Sequence, residues 1–121
     1  PYGRIIAVVQ PHRYTRLRNL FKEFCTCFNE ANIVVVAQVY PAGEEAIEGF
    51  NQETLVEGLR SHGHRHVELL KSQEALPQLI NRISLPGDVV VCLGAGSITN
   101  WANMLPTNLA ALRALPNEVS K

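Results

Sequence analysis

The sequence has no excess of charge of either sign, because 11 lysines and arginines balance 11 aspartates and glutamates. Without a global field, neither a nucleic acid nor an anionic membrane surface is indicated as a partner. No run approaches the roughly 18 consecutive apolar residues that cross a bilayer, and no signal peptide is evident. Any function that depends on charge must therefore come from a local cluster.

Cysteine is scarce as well. The three cysteines, Cys25, Cys27 and Cys92, are an odd number without the spacing of a disulfide framework. We expect them to be reduced thiols with a packing role, as in a cytosolic protein. The sequence also lacks a P-loop motif and any Ser/His/Asp or Cys/His arrangement that would indicate a nucleophile. We therefore expect no catalytic residue of its own.

Short apolar runs alternate with amphipathic segments along the chain. We predict strands at 4–9, 32–40 and 66–70 and in "GDVVVCLG", and helices at 15–31, 51–61, 72–84 (with Ser72 as N-cap) and after "GAG". The polar tail from residue 113 is expected to fray. The alternation predicts one α/β domain, with a mostly parallel sheet between two layers of helices.

In such a sheet the carboxyl ends of all four strands lie along one edge, where ligands bind. That edge carries the segments "QPHRYTR", "QVYPAGEE" and "LGAGSIT". The three loops are therefore predicted to lie together.

The first of these loops places several cations at the start of a helix, namely His12, Arg13, Arg16 and Arg18. Each cation there is unfavourable by roughly a few tenths of a kcal/mol, unless an anion binds to the helix start. Arg13 and Arg16 are three residues apart and can converge on one partner. The pattern favours a carboxylate or phosphate ligand, and solvated surface arginines are the alternative.

The other polar clusters are weaker. The Gly-Ala-Gly turn of "LGAGSIT" indicates either close approach of a ligand or a tight turn without one. Glu44, Glu45 and Glu48 are expected to be surface charges rather than a cation site. The alternating histidines of "SHGHRH" are expected to be a polar loop rather than a metal site.

The same three loops resemble one known family. "QPHRYTRL", "VYPAGEE" and "GDVVVCLGAGSIT" are similar, in order and spacing, to the C-terminal domain of the Mur ligases, and most similar to those that join L-alanine to UDP-N-acetylmuramate. The resemblance runs from about residue 4 to about residue 105, and "PHRYTR" is its most specific element.

The resemblance implies that residues 1–121 form a Rossmann-like, amino-acid-binding domain of a three-domain ligase of peptidoglycan synthesis in the bacterial cytoplasm. The missing N-terminal domain would hold UDP-N-acetylmuramate, and the missing central domain would hold ATP with magnesium. The muramoyl carboxylate would become an acyl phosphate, which the amine of L-alanine attacks with release of phosphate. The C-terminal domain closes over the nucleotide, and alone it is expected to be inactive.

The resemblance also implies a set of substrate-binding residues, namely His12, Arg13, Arg16, Tyr40, Gly94 and Gly96. The first three would meet the alanyl carboxylate and hold the amine near the acyl phosphate. The other three would lie on the same rim.

Two alternatives stay open. One is the related ligase of peptidoglycan recycling, which adds a tripeptide in place of alanine. The other is a non-catalytic module that binds an anion or a nucleotide with the same arginine turn. Leu17, Gln38 and Ser97 depart from the family pattern. Because the chain begins with Pro1 and runs directly into an apolar strand, we expect a fragment of a longer polypeptide. The family's preceding acidic and histidine-rich segment is absent, so we also expect the sheet to have an unprotected edge.

Overall fold

The computed structural model describes residues 3–94 and 98–114, and among these the side chains other than 99, 100 and 112–114. Within this part of the chain there is one four-stranded parallel sheet, in the order β3-β2-β1-β4. Its strands are β1 (Ile5–Gln10), β2 (Ile33–Val36), β3 (Val67–Leu69) and β4 (Val89–Gly94).

Helices cover both faces of the sheet. They are α1 (Tyr14–Asn19), α2 (Phe21–Thr26), α3 (Gln52–Ser61), α4 (Leu76–Ile83) and α5 (Ile98–Ala114). The first three contribute to the core on one face, and α4 and α5 to the core on the other. The predicted α/β class, with a parallel sheet and helices on both faces, is confirmed.

The central strands explain why the apolar runs are continuous. In β1, Ile6 and Val8 point into one core while Ala7 and Val9 point into the other. All four residues of β2 are buried. A strand that is covered on both faces needs apolar residues at every position instead of alternating ones.

The prediction of one long helix at 15–31 is wrong, because the chain forms two shorter helices there. Leu20 separates them with φ −117° and ψ 23°, and it is 41% exposed. Leu17 and Cys25 are buried on either side of this break. The apolar spacing continues across it because both helices pack against the same core, so the pattern alone gave no sign of the interruption.

Other boundaries also differ from the prediction, most of them by one or two residues. β2 ends at Val36 instead of continuing to Tyr40. The helix predicted at 72–84 begins as a 3-10 turn (Gln73–Ala75), which Ser72 precedes without a capping side-chain bond. Pro77 then lies in the first turn of α4, where a missing N–H costs no hydrogen bond. Beyond Ala114 the predicted tail lies outside the described residues.

β4 and β3 are the outer strands of the sheet as described. Val89, Val91 and Leu93 on β4 are 51%, 36% and 41% exposed. The start of the strand is held by Arg4, whose Nε and Nη2 donate to the Asp88 carboxylate at 3.1 and 2.7 Å. This bidentate pair joins the amino ends of β1 and β4.

α2 and α3 approach each other closely at Gly58. A Cβ added there would overlap the Cys25 sulfur and lie 3.0 Å from the ring of Phe21. Cys25 is a free, buried thiol, as the sequence predicted. Gly58 therefore weakens the propensity of its helix but permits the packing of the helix pair.

Gly58→Ala should lower the free energy of unfolding by about 1 kcal/mol in a urea titration, because overpacking outweighs the better helix propensity. Cys25→Ala provides the matched control, since it removes the overlapping sulfur. In the double variant the added cost of Gly58→Ala should be smaller than in the wild type. A gain in stability from Gly58→Ala alone would contradict this packing.

Candidate functional site

The loops that follow β1 and β2 are joined to each other at the carboxyl edge of the sheet. The N–H of Tyr40 donates to the carbonyl of Pro11 at 2.8 Å, and the N–H of Arg13 donates to the carbonyl of Tyr40 at 2.7 Å. His12 and Tyr40 form a parallel bridge, and their rings stack with centroids 5.4 Å apart. Two of the three loops that were predicted to lie together therefore do so, through backbone pairing.

Arg13 has a strained backbone, with φ 76° and ψ 137°. L-residues rarely adopt a positive φ because their Cβ is crowded, at a cost of about 1–3 kcal/mol. The hydrogen bond to Tyr40 holds the residue in this conformation. Such strain is concentrated at binding and catalytic sites, so it marks Arg13 independently of its charge.

The carboxylate of Glu44 lies at the start of α1. It accepts hydrogen bonds from the Thr15 N–H at 3.1 Å and from the Thr15 hydroxyl at 2.6 Å. The Nη1 of Arg13 is 3.7 Å from the same carboxylate. These Thr15 bonds, aided by the backbone of Tyr14 and the charge of Arg13, hold the pKa of Glu44 below its ordinary value.

The expectation that Glu44 is plain surface charge is therefore wrong. Its side chain is 21% exposed and bonded within the chain. Glu45 and Glu48 are exposed, as expected for surface charges. The sequence interpretation missed Glu44 and Thr15, which are 29 positions apart. The available signal was that both residues lie within motifs of the family resemblance, Thr15 in "QPHRYTRL" and Glu44 in "VYPAGEE".

The anion site inferred at the helix start needs a correction as well. The N–H of Thr15 is used by Glu44 and is not available to a ligand. What remains for a ligand are the guanidinium groups, not the helix terminus. The side chain of Arg13 is 48% exposed, and Arg16 is exposed without a side-chain hydrogen bond or ion pair to any of residues 3–94 and 98–114.

The third loop is described only at its first residue. Gly94 has φ 150°, and a Cβ there would lie 2.7 Å from the carbonyl oxygen of Gln10. Gly94 is thus required by close packing against the neighbouring strand, a role that the sequence analysis did not consider. Gly96 and its neighbours in the Gly-Ala-Gly turn lie outside the described residues.

The three histidines of "SHGHRH" bind different partners. Ring nitrogens of His62 and His64 bond to the carbonyls of Gly58 and Phe28, and His66 bonds to a side-chain oxygen of Glu68 at 2.8 Å. In residues 3–94 and 98–114, no group of three or more His, Cys, Asp or Glu side chains is arranged to hold a metal ion. None of the described helices is long and apolar enough to cross a membrane.

The fold and the joined loops define a parallel α/β domain with a cationic ligand-facing edge. Residues 1–96 match the family model described as Mur ligase, glutamate ligase domain. The chain belongs to the Mur ligase family, so the resemblance seen in its motifs is confirmed.

Individual relatives agree with the family model. The chain is 63% identical over 113 residues to the UDP-N-acetylmuramate–L-alanine ligase of Rhodospirillum centenum. The matched residues cover 93% of the chain and 23% of that protein. It is 66% identical over 110 residues to the ligase of the same name from Parvibaculum lavamentivorans, 91% of the chain and 22% of the relative. The chain thus spans less than a quarter of the length of these relatives.

Arg13→Gly should relieve the strained backbone, whereas Arg13→Ala should retain it, and both remove the guanidinium. We expect the glycine variant to be the more stable of the two by about 1 kcal/mol in chemical unfolding. This order is the reverse of that found at ordinary positions, where glycine is less stable than alanine. If the alanine variant proves more stable, Arg13 does not have a positive φ.

Proposed function

We propose that this chain is the amino-acid-binding domain of a bacterial cytoplasmic ligase that uses ATP to join L-alanine to UDP-N-acetylmuramate. The observation that carries this proposal is the strained Arg13, which two paired loops hold at the ligand-facing edge of a Mur ligase domain. The names of the relatives support the substrate, because those described above are UDP-N-acetylmuramate–L-alanine ligases.

In the proposed reaction the chain contributes binding and orientation. Arg13 and Arg16, with His12, bind the carboxylate of L-alanine by charge-assisted hydrogen bonds. The amino group of alanine is then directed at the acyl phosphate of the muramoyl group. Its attack forms the amide and releases phosphate. Holding the nucleophile in this position accelerates the reaction without any proton transfer by these side chains.

We assign ATP, magnesium and the UDP sugar to other parts of the ligase. The described part of this chain has no side-chain cluster suited to a metal ion, and the sequence has no P-loop. Tyr40 is proposed to line the alanine site because its ring stacks on His12. Gly94 and Gly96 are proposed to lie on the same rim.

The carboxylate of a small amino acid would explain why two arginines are only three residues apart in a chain without net charge. A guanidinium binds a carboxylate through two parallel N–H bonds, a geometry that a lysine cannot reproduce. The proposal of a ligase that adds a tripeptide has less support, because the relatives described above are named for L-alanine.

Arg16→Ala, made in the ligase that contains this domain, should raise the KM for L-alanine by roughly thirtyfold, or about 2 kcal/mol, because a charge-assisted bond is lost. The KM values for ATP and UDP-N-acetylmuramate should change little. Steady-state kinetics with each substrate varied in turn would measure these three constants.

Arg18→Ala is the matched control. Arg18 lies on the same short helix and is exposed, and its Nε donates to the side-chain oxygen of the neighbouring Asn19. The Arg18→Ala substitution removes the same positive charge as Arg16→Ala, two positions further along the chain. An unchanged KM for alanine in the Arg16 variant, or equal increases in both variants, would contradict the proposed role of Arg16.

A further inference from the structure

The two loops that carry the proposed substrate-binding residues are also joined by a side chain, that of Glu44. Its two carboxylate oxygens accept the two Thr15 bonds described above. The loop is bent to allow this reach. Ala42 has φ 51° and Gly43 has φ 87°, and the Glu44 N–H donates to the carbonyl of Pro41 at 3.0 Å. The carboxylate is therefore directed toward α1 by a tight turn.

The distance to Arg13 decides what this carboxylate does. At 3.7 Å the Nη1 of Arg13 is beyond hydrogen-bond distance from the nearer oxygen of Glu44. The guanidinium is thus attracted by the negative charge while its N–H donors remain available to a ligand. Both carboxylate oxygens of Glu44 accept hydrogen bonds from Thr15. These bonds hold the carboxylate at the helix start, so it does not take the position of a ligand on Arg13.

We infer that Glu44 is a positioning residue, whose ionised carboxylate fixes the start of α1 and directs the Arg13 guanidinium toward the carboxylate of the amino-acid substrate. This inference rests on the proposed function for the identity of that substrate. The opposite hypothesis is that Glu44 competes with the substrate for Arg13. The two hypotheses predict opposite signs when the charge of Glu44 is removed.

Glu44→Gln in the ligase that contains this domain keeps the size of the side chain and removes its charge. We expect the KM for L-alanine to rise about tenfold or more with kcat and the KM for ATP nearly unchanged, because Arg13 is no longer held in position. Glu45→Gln is the matched control, since Glu45 is the adjacent exposed carboxylate. A fall in the alanine KM, or no difference between the two variants, would overturn the inference.

A second measurement does not depend on the ligase activity. In the 121-residue chain, the amide resonance of Thr15 should follow the ionisation of Glu44 in an NMR pH titration. Its midpoint should lie below the ordinary glutamate pKa, because hydrogen bonds from Thr15 favour the ionised form. The stability that this ionisation contributes is present at neutral pH and is lost as the pH falls through the lowered pKa.

The two measurements separate the possible failures. If the Thr15 amide does not respond to pH, or responds equally in Glu44→Gln, the carboxylate is not at the helix start and the inference fails. If the amide responds as expected but L-alanine is not a substrate of the ligase, the proposed function fails while the Glu44 contact stands.

Discussion

The hydrogen bond from the N–H of Arg13 to the carbonyl of Tyr40, at 2.7 Å, is the contact on which the ligand-facing edge depends. β1 ends at Gln10 and β2 ends at Val36, so the sheet itself stops before either residue. Pairing resumes at His12 and Tyr40 because the two loops continue side by side. The arginine turn thereby takes its position from the sheet instead of depending on a free loop.

This pairing also explains why Arg13 tolerates a positive φ. The strain costs about 1–3 kcal/mol, and each backbone hydrogen bond that the loops form contributes about 0.5–1.5 kcal/mol. The bonds Arg13–Tyr40 and Tyr40–Pro11 are therefore of the size needed to hold the strained residue. The stacked rings of His12 and Tyr40 add to the same contact. Several weak interactions thus enforce one unfavourable conformation at Arg13.

Whether a feature could be predicted from the sequence depends on how far apart along the chain the interacting residues lie. The strands were predictable because β1 and β2 are covered on both faces, and burial leaves a local apolar run. The break at Leu20 was not predictable, because the helices on both sides of it place their apolar residues against the same core. The contact between Glu44 and Thr15 joins two loops that are distant in the sequence. When the acidic turn is considered without its partner, it has the composition of a solvated surface loop. The family resemblance covered both loops, but it assigned no role to the carboxylate of Glu44.

The local charges bear on which anion the proposed site accepts. Arg13 and Arg16 carry two positive charges, and the negative charge of Glu44, 3.7 Å from Arg13, offsets one of them. One bound carboxylate then leaves this group of charges neutral, whereas a phosphate dianion would leave it negative. The charge of this group is therefore matched by a carboxylate more closely than by a phosphate dianion. If the proposed function and the proposed role of Glu44 hold, this carboxylate contributes to the choice of ligand as well as to the position of Arg13, and the short acidic loop after β2 belongs to the alanine site together with the arginine turn.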